Sequence, residues 1–225
     1  MKIKKISHCC LVVEIGGKRI LTDPGSFSSE QNALTGIDAI VITHEHSDHF
    51  HAESVQAIMK NNPGAMVITN ATVGKLLDGL GVAHTVIDGR GKGMIGVGDT
   101  GLAIEAFDCK HEEIFEEMGQ VQNTAYLITG AGADAGKNFF IPGDAYCVPD
   151  TKVDVLALPV AGPWCRLPDA LRYAIKVKPR AAFQIHDVFL KPATTGFMHQ
   201  VITNVLKQKA DIAFTGMQDG DEKEF

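Results

Sequence analysis

No stretch of the 225 residues stays apolar long enough to cross a bilayer; runs such as Asp38–Thr43 and Val153–Val160 are strand-sized. Aromatic residues are few, at 7% with one Trp. The five cysteines (Cys9, Cys10, Cys109, Cys147, Cys165) are odd in number and contain no CxxC spacing. They are therefore expected to be reduced, partly buried thiols. An excess of basic charge is missing too, since Lys+Arg 21 against Asp+Glu 27 leaves a net charge of −6. The basic residues fall in small groups (Lys2, Lys4, Lys5; Lys176, Lys178, Arg180) rather than one stripe. A nucleic-acid partner, which usually demands a broad basic face, is therefore not expected. The opening MKIKKISHCC has a basic start without the apolar stretch or cleavage site of a secretory leader. The expectation is a cytoplasmic protein with no membrane partner; nothing in the chain sets its oligomeric state.

What is present is core-forming material. Hydrophobic residues make up 45% and charged residues 21%, which rules out disordered and collagen-like classes and suits one domain over residues 1–225. Leu11–Ile15 and Arg19–Thr22 flank Gly16-Gly17, the pattern of a tight hairpin. Ile37–Thr43 reads as a strand buried on both faces. Helices are expected over Ala52–Lys60, after Asn70 as N-cap, from Pro168, and over Thr195–Lys209. Further strands are expected at Ala65–Thr69, Leu102–Phe107, Thr124–Thr129, Asn138–Ile141, Val153–Leu158, Ala181–His186 and, last, Ile212–Phe214. Asp88–Gly101, with six glycines in fourteen residues, reads as turns around one short strand. Hairpins mixed with strand–helix alternation indicate an α/β layered fold with mixed sheets.

The chemistry concentrates in Thr43-His44-Glu45-His46-Ser47-Asp48-His49. With nine His and sixteen Asp in the chain, an HxHxDH run arises by chance in roughly one such chain in a thousand. His44 and His46, two apart at a strand end, can point to one side. Asp48 and His49 follow in the turn before a helix and can be aimed at a neighbouring point. Imidazoles and a carboxylate so placed can serve two adjacent cations.

On these residues the sequence resembles the metallo-β-lactamase superfamily, whose signature is HxHxDH after a buried strand. Nearly the whole chain is covered, because further landmarks follow in order: Asp23 in Leu21-Thr22-Asp23-Pro24, His111 after Leu102–Phe107, Asp144 in Ile141-Pro142-Gly143-Asp144, and His186 closing Phe183-Gln184-Ile185-His186. The resemblance implies an αββα sandwich of two mixed β-sheets flanked by helices. It also implies two divalent ions, zinc by preference with manganese or iron as alternatives. His44, His46 and His111 would take one ion; Asp48, His49 and His186 would take the other, with Asp144 bridging. Asp23 would stand behind the ligands and orient imidazoles.

Ser7-His8-Cys9-Cys10 resembles the Gly-His-Ser-Cys opening of the branch holding ascorbate-6-phosphate lactonases, with Ser7 and Cys9 departing from it. By that resemblance His8 is a catalytic residue in the site and metal coordination by it would be redundant. Asp48 is expected to orient or deprotonate water as well as to coordinate. Trp164 and Arg166 leave a buried strand, where loops line crevices. Each is either a substrate contact or, for Trp164, core packing and, for Arg166, a surface ion pair. His51, His84 and His199 lack partner motifs and are read as surface or interface residues. The expected function is a metal-dependent hydrolase acting on a small, anionic ester, lactone or phosphoester. A phosphodiesterase or nuclease on the same metals, or a non-catalytic metal-binding protein, are the alternatives.

Overall fold

Strands such as Leu11-Val12-Val13 and Phe139-Phe140-Ile141 put apolar side chains on both faces, so each must be covered twice. The computed structural model, which describes residues 1–96 and 101–225, meets this demand with four layers: helices, sheet, sheet, helices.

The first sheet contains β1 (Lys2–Ser7), β2 (Cys10–Ile15), β3 (Lys18–Thr22), β4 (Ala39–Val41), β5 (Met66–Thr69) and β6 (Thr85–Val86). The second contains β7 (Lys92–Ile95), β8 (Leu102–Lys110), β9 (Gln122–Thr129), β10 (Asn138–Ile141), β11 (Val155–Pro159), β12 (Ala181–Ile185) and β13 (Ala213–Phe214). A last strand, β14 (Glu222–Glu224), returns to the first sheet and pairs antiparallel with β1. The two sheets share one plan. β14-β1-β2-β3 and β7-β8-β9-β10 are antiparallel runs, and each is continued by three parallel pairings, through β4-β5-β6 and β11-β12-β13.

Parallel pairings need crossovers; helices supply those of β4–β5, β5–β6, β11–β12 and β12–β13, while β3–β4 and β10–β11 are joined through loops. α1 (Ala52–Asn61) and α2 (Ala71–Gly79) cover the first sheet, with Val55, Ile58, Val73 and Leu77 packed on Val12, Leu21, Ile40 and Val67. α3 (Leu167–Val177) and α4 (Pro192–Ala210) cover the second through Ala170, Tyr173, Ile202 and Leu206, packed on Phe140, Leu156 and Leu158. Between the sheets lies the main core, where Leu11, Val13, Ile20 and Val41 pack with Tyr126, Ile128, Phe139 and Phe183. No helix among the described residues is long and apolar enough to cross a membrane.

Several expected bounds shift for local reasons. The Gly16-Gly17 turn has φ of 55° and 75°, the left-handed pair that a two-residue hairpin needs. Asn70 caps α2 as expected, its Oδ1 accepting from the N–H groups of Thr72 and Val73 at 3.1 and 3.0 Å. The strand expected over Ile37–Thr43 contracts to β4, because the Thr43 N–H leaves the ladder and donates to Asp23 Oδ1 at 2.8 Å. α4 starts at Pro192 rather than Thr195, since proline has no N–H to leave orphaned in the first turn. Within Asp88–Gly101 the short strand is β7; residues 97–100 lie outside the described residues. β14 is unheralded: Glu-Lys-Glu is an exposed, charged edge with no apolar face to signal it.

Candidate metal centre

The side chains of the HxHxDH run meet those of His111, Asp144 and His186 at one end of the sandwich. The strand ends there carry Asp23 after β3, His44 to His49 after β4, His111 after β8, Asp144 after β10, Trp164 after β11 and His186 after β12. His8 follows β1. Atoms able to ligate a cation gather in two four-residue groups, His44-His46-His111-Asp144 and His8-Asp48-His49-His186, each with its atoms within 4.8 Å of one another. His49 Nε2 and Asp144 Oδ1, 2.9 Å apart, join the two groups.

The backbone is bent to make this possible. His8, Asp23 and His186 have φ of 53°, 39° and 55°, left-handed values that non-glycine residues seldom adopt. Each marks the point where a strand stops and its side chain is turned across the sheet ends. Two glycines let chains approach closely. A Cβ on Gly25 would stand 1.9 Å from the Asp48 carbonyl oxygen, and one on Gly143 (φ 63°) would stand 2.2 Å from Asn123 Oδ1. Asn123 Oδ1 accepts the Asp144 N–H at 2.9 Å, and Asn123 Nδ2 donates to the Pro142 carbonyl at 2.8 Å. The loop carrying Asp144 is thereby pinned to β9.

Imidazole orientation follows from the partners of Nδ1. In His49, Nδ1 donates to Asp23 Oδ2 at 2.8 Å; in His186, to the Ala161 carbonyl; in His111, to the Glu112 carbonyl. The Thr43 hydroxyl donates to Asp23 Oδ2 at 2.9 Å, which leaves its lone pairs for His44 Nδ1 at 3.1 Å. A neutral imidazole that donates through Nδ1 has only a lone pair on Nε2. Those Nε2 atoms face carboxylate oxygens: His186 Nε2 is 2.9 Å and His111 Nε2 is 3.2 Å from Asp144 Oδ2. His44 Nε2, His49 Nε2, His111 Nε2 and Asp144 Oδ1 are buried without a well-formed hydrogen bond. Acceptors facing acceptors in a buried space require a cation between them, either protons or metal ions.

The electrostatics show how strongly that positive charge is wanted. Burial works against charge throughout. In His44, burial and then the field of His49 hold the imidazole well below its usual range. In His49 and His186, burial is outweighed by the Asp144 carboxylate, and both rise well above that range. For Asp144 burial is outweighed in turn by His49 and His186, which keep it far below the usual carboxylate range. Asp48 is lowered similarly: burial opposes its charge, and hydrogen bonds from His186 and His8 prevail. At His8, burial wins over the Asp48 hydrogen bond, and the imidazole falls to about 4. Nitrogen and carboxylate oxygen donors in these proportions fit zinc, manganese or iron.

All seven residues expected as ligands are thus brought together, and Asp23 stands behind His49 on its Nδ1. His8, expected in the site as a catalytic residue and not as a ligand, stands beside the ligands, its Nε2 3.1 Å from Asp48 Oδ2. Trp164 packs in the core, 8% exposed, and also donates its indole N–H to Asp144 Oδ2 at 2.8 Å. Arg166 turns away from the ligands: its side chain is 79% exposed and pairs with Asp169 at 2.8 Å. It lines the rim of a groove of about 510 Å³, with Trp164, Tyr146, Arg172 and Lys176, that opens beside the cluster. His51, His84 and His199 stay outside the cluster, His51 and His84 bonded to Ser54 and to the Val82 carbonyl. The sequence reading passed over Thr43, Asn123 and the exposed rings of Phe27 and Phe189. Those rings lie 5.2 and 5.9 Å from the His8 ring. Thr43 could have been picked out from its place directly before His44; the others carry no local signal.

Comparison with known proteins agrees with this fold. Residues 2–186 match the family described as Beta-lactamase superfamily domain. Protein Rv0786c of Mycobacterium tuberculosis is 31% identical over 210 residues, covering 91% of this chain and 92% of its own. The UPF0173 metal-dependent hydrolase of Aeropyrum pernix is 27% identical over 209 residues, 82% of this chain and 81% of that one. Among solved structures, the metallo hydrolase Igni18 of the archaeon Ignicoccus hospitalis superposes with a TM-score of 0.75 at 21% identity, covering 100% of this chain and 98% of that chain.

Proposed function

This chain belongs to the beta-lactamase superfamily, in its metallo-β-lactamase fold, and from that membership we propose that it is a metal-dependent hydrolase of small esters, lactones or phosphoesters. The observation that carries the proposal is the pair of four-residue groups joined through Asp144. His44, His46 and His111 would hold one divalent ion, and Asp48, His49 and His186 the other, with Asp144 between them. Zinc is the first choice, and manganese or iron the alternatives. When bound, the ions supply Lewis acidity that draws the pKa of water towards neutrality and polarises the substrate oxygen.

The chain's own groups supply proton handling and orientation. Asp48 Oδ2, 3.1 Å from His8 Nε2 and 3.5 Å from His186 Nε2, accepts the proton of the attacking water. His8, neutral near pH 7 because burial lowers it to about 4, donates its Nε2–H to Asp48 Oδ2 and aims that carboxylate at the water, and the proton taken up by Asp48 goes on to the leaving oxygen. Trp164 and Asn123 hold the two sides of Asp144 so that it does not swing as charge develops. Two surroundings of the cluster support an amphiphilic small molecule. Arg166, Arg172 and Lys176 on the groove offer an anion partners, and Phe27 with Phe189 offers an apolar face beside His8.

The test is hydrolysis by zinc- or manganese-reconstituted protein at equal metal loading, across lactones, carboxyl esters, small phosphoesters and RNA. The small substrates should show the higher kcat/KM, and Asp48→Ala should abolish their turnover. Dominant nuclease activity that disappears with Asp48→Ala would replace this reading with a phosphodiesterase.

A further inference from the structure

His8 and Cys9 are neighbours at the turn between β1 and β2, and the left-handed backbone of His8 sends the two side chains to different places. Cys10 packs outward with the α1–α2 layer, whereas Cys9 points inward, fully buried in the core between the sheets. There its sulfur forms a third ligand-capable group with His49 and Asp144, all three atoms within 4.8 Å of one another. His49 Nε2 and Asp144 Oδ1 are two of the buried atoms left without a well-formed hydrogen bond, although they stand 2.9 Å apart. The Nδ1–H of His49 is spent on Asp23, so the nitrogen on this side offers a lone pair. Sulfur, imidazole nitrogen and carboxylate oxygen therefore share one buried point.

We propose that Cys9 is a thiolate ligand from the floor of the centre, giving the ion held by His49 and bridged by Asp144 a sulfur donor. The proposal rests on the reading of the cluster as a metal centre. Ligand atoms on one tetrahedral zinc, at about 2.3 Å for sulfur and 2.0–2.1 Å for nitrogen, lie about 3.5 Å apart. To reach that spacing the His49 Nε2–Asp144 Oδ1 pair, 2.9 Å apart, opens slightly, and the sulfur starts from within 4.8 Å of both. Sulfur softens the donor set, which favours zinc or cobalt over manganese. On binding, the Cys9 S–H bond breaks, the electron pair stays on sulfur and forms the sulfur–metal bond, and the proton leaves to solvent.

The decisive measurement is optical. The full-length protein reconstituted with Co²⁺ should show a sulfur-to-cobalt charge-transfer band in the near ultraviolet beside the visible ligand-field bands. Cys9→Ser should lose the ultraviolet band and keep the visible ones; Cys10→Ser and Cys165→Ser should keep both. Zinc-edge X-ray absorption of the unmutated protein gives the same answer should Cys9→Ser fail to fold: an average of one sulfur neighbour per two zinc ions, at about 2.3 Å. Visible cobalt bands without the ultraviolet band, or an absorption spectrum fitted by nitrogen and oxygen alone, would overturn the ligand role and leave the metal centre standing. Protein that takes up no cobalt or zinc at all would overturn both.

Discussion

Three residues of the cluster hold backbone conformations that cost them stability. A non-glycine residue in the left-handed region carries about 1–3 kcal/mol of strain, and His8, Asp23 and His186 are three of the five such residues among those described. What they return is direction: each side chain crosses from its own strand end to the common point. His8 separates the two effects by substitution. His8→Gly should be more stable than His8→Ala by up to about 1 kcal/mol in chemical denaturation, because glycine accepts φ of 53° without strain. Both variants should lose kcat about 10–1,000-fold while metal content stays near that of the parent protein, since seven other ligands remain. Metal analysis beside steady-state kinetics checks this; a fall in bound metal equal to the fall in rate would make His8 a ligand instead.

At the scale of elements, the site was legible where its residues are contiguous and hidden where closure of the sheets brings them together. Four of the seven expected ligands, His44, His46, Asp48 and His49, sit within six residues, so strand-end geometry alone predicts their convergence. The Trp164–Asp144 bond spans 20 residues and the Asn123–Asp144 bond 21, and neither has a spacing that chemistry enforces. Asn123 lies one residue before the strand expected over Thr124–Thr129, which in the structure begins at Gln122. Arg166, which the sequence leaves open between an anion contact and a surface ion pair, pairs with Asp169 one helical turn later. The hidden contacts give the sharper tests. Trp164→Phe keeps the ring and removes the N–H on Asp144 Oδ2; zinc affinity should fall about 10–100-fold with little change in folding, as competition with a chelator would show. Gly143→Ala drives a methyl group against Asn123 Oδ1 and fixes a residue at φ 63°. It should cost more than about 1 kcal/mol in thermal unfolding and lower metal content as well.

Over the whole molecule the charges of the cluster make metal binding a proton exchange. In the metal-free protein burial disfavours protonated His49 and His186, but the Asp144 carboxylate prevails and their pKa values stand well above the ordinary 6.5. Their contribution to stability is therefore complete below about pH 6.5 and is lost as pH rises through the raised values. Metal must displace the same protons, so affinity for zinc strengthens as pH rises. Both effects have one sign: the gain in Tm on adding zinc should grow between pH 6 and pH 8. Calorimetric titration in buffers of different ionisation enthalpy should count about two protons released. A gain in Tm that is flat with pH would mean that the imidazoles are already neutral before metal arrives.

The shared plan of the two sheets has one more result. His8, Asp23 and the HxHxDH residues ride on the first sheet, and His111, Asp144 and His186 ride on the second, so an ion held by both measures the gap between them. The gap is set deeper down, where small side chains such as Ala39, Ala106 and Ala157 let the sheets approach. Enlarging one of them would wedge the sandwich open by a fraction of an ångström and lengthen every bond that crosses the seam. Ion preference would then drift towards larger cations without any ligand having changed, and metal selectivity in this fold becomes a property that interior packing can tune.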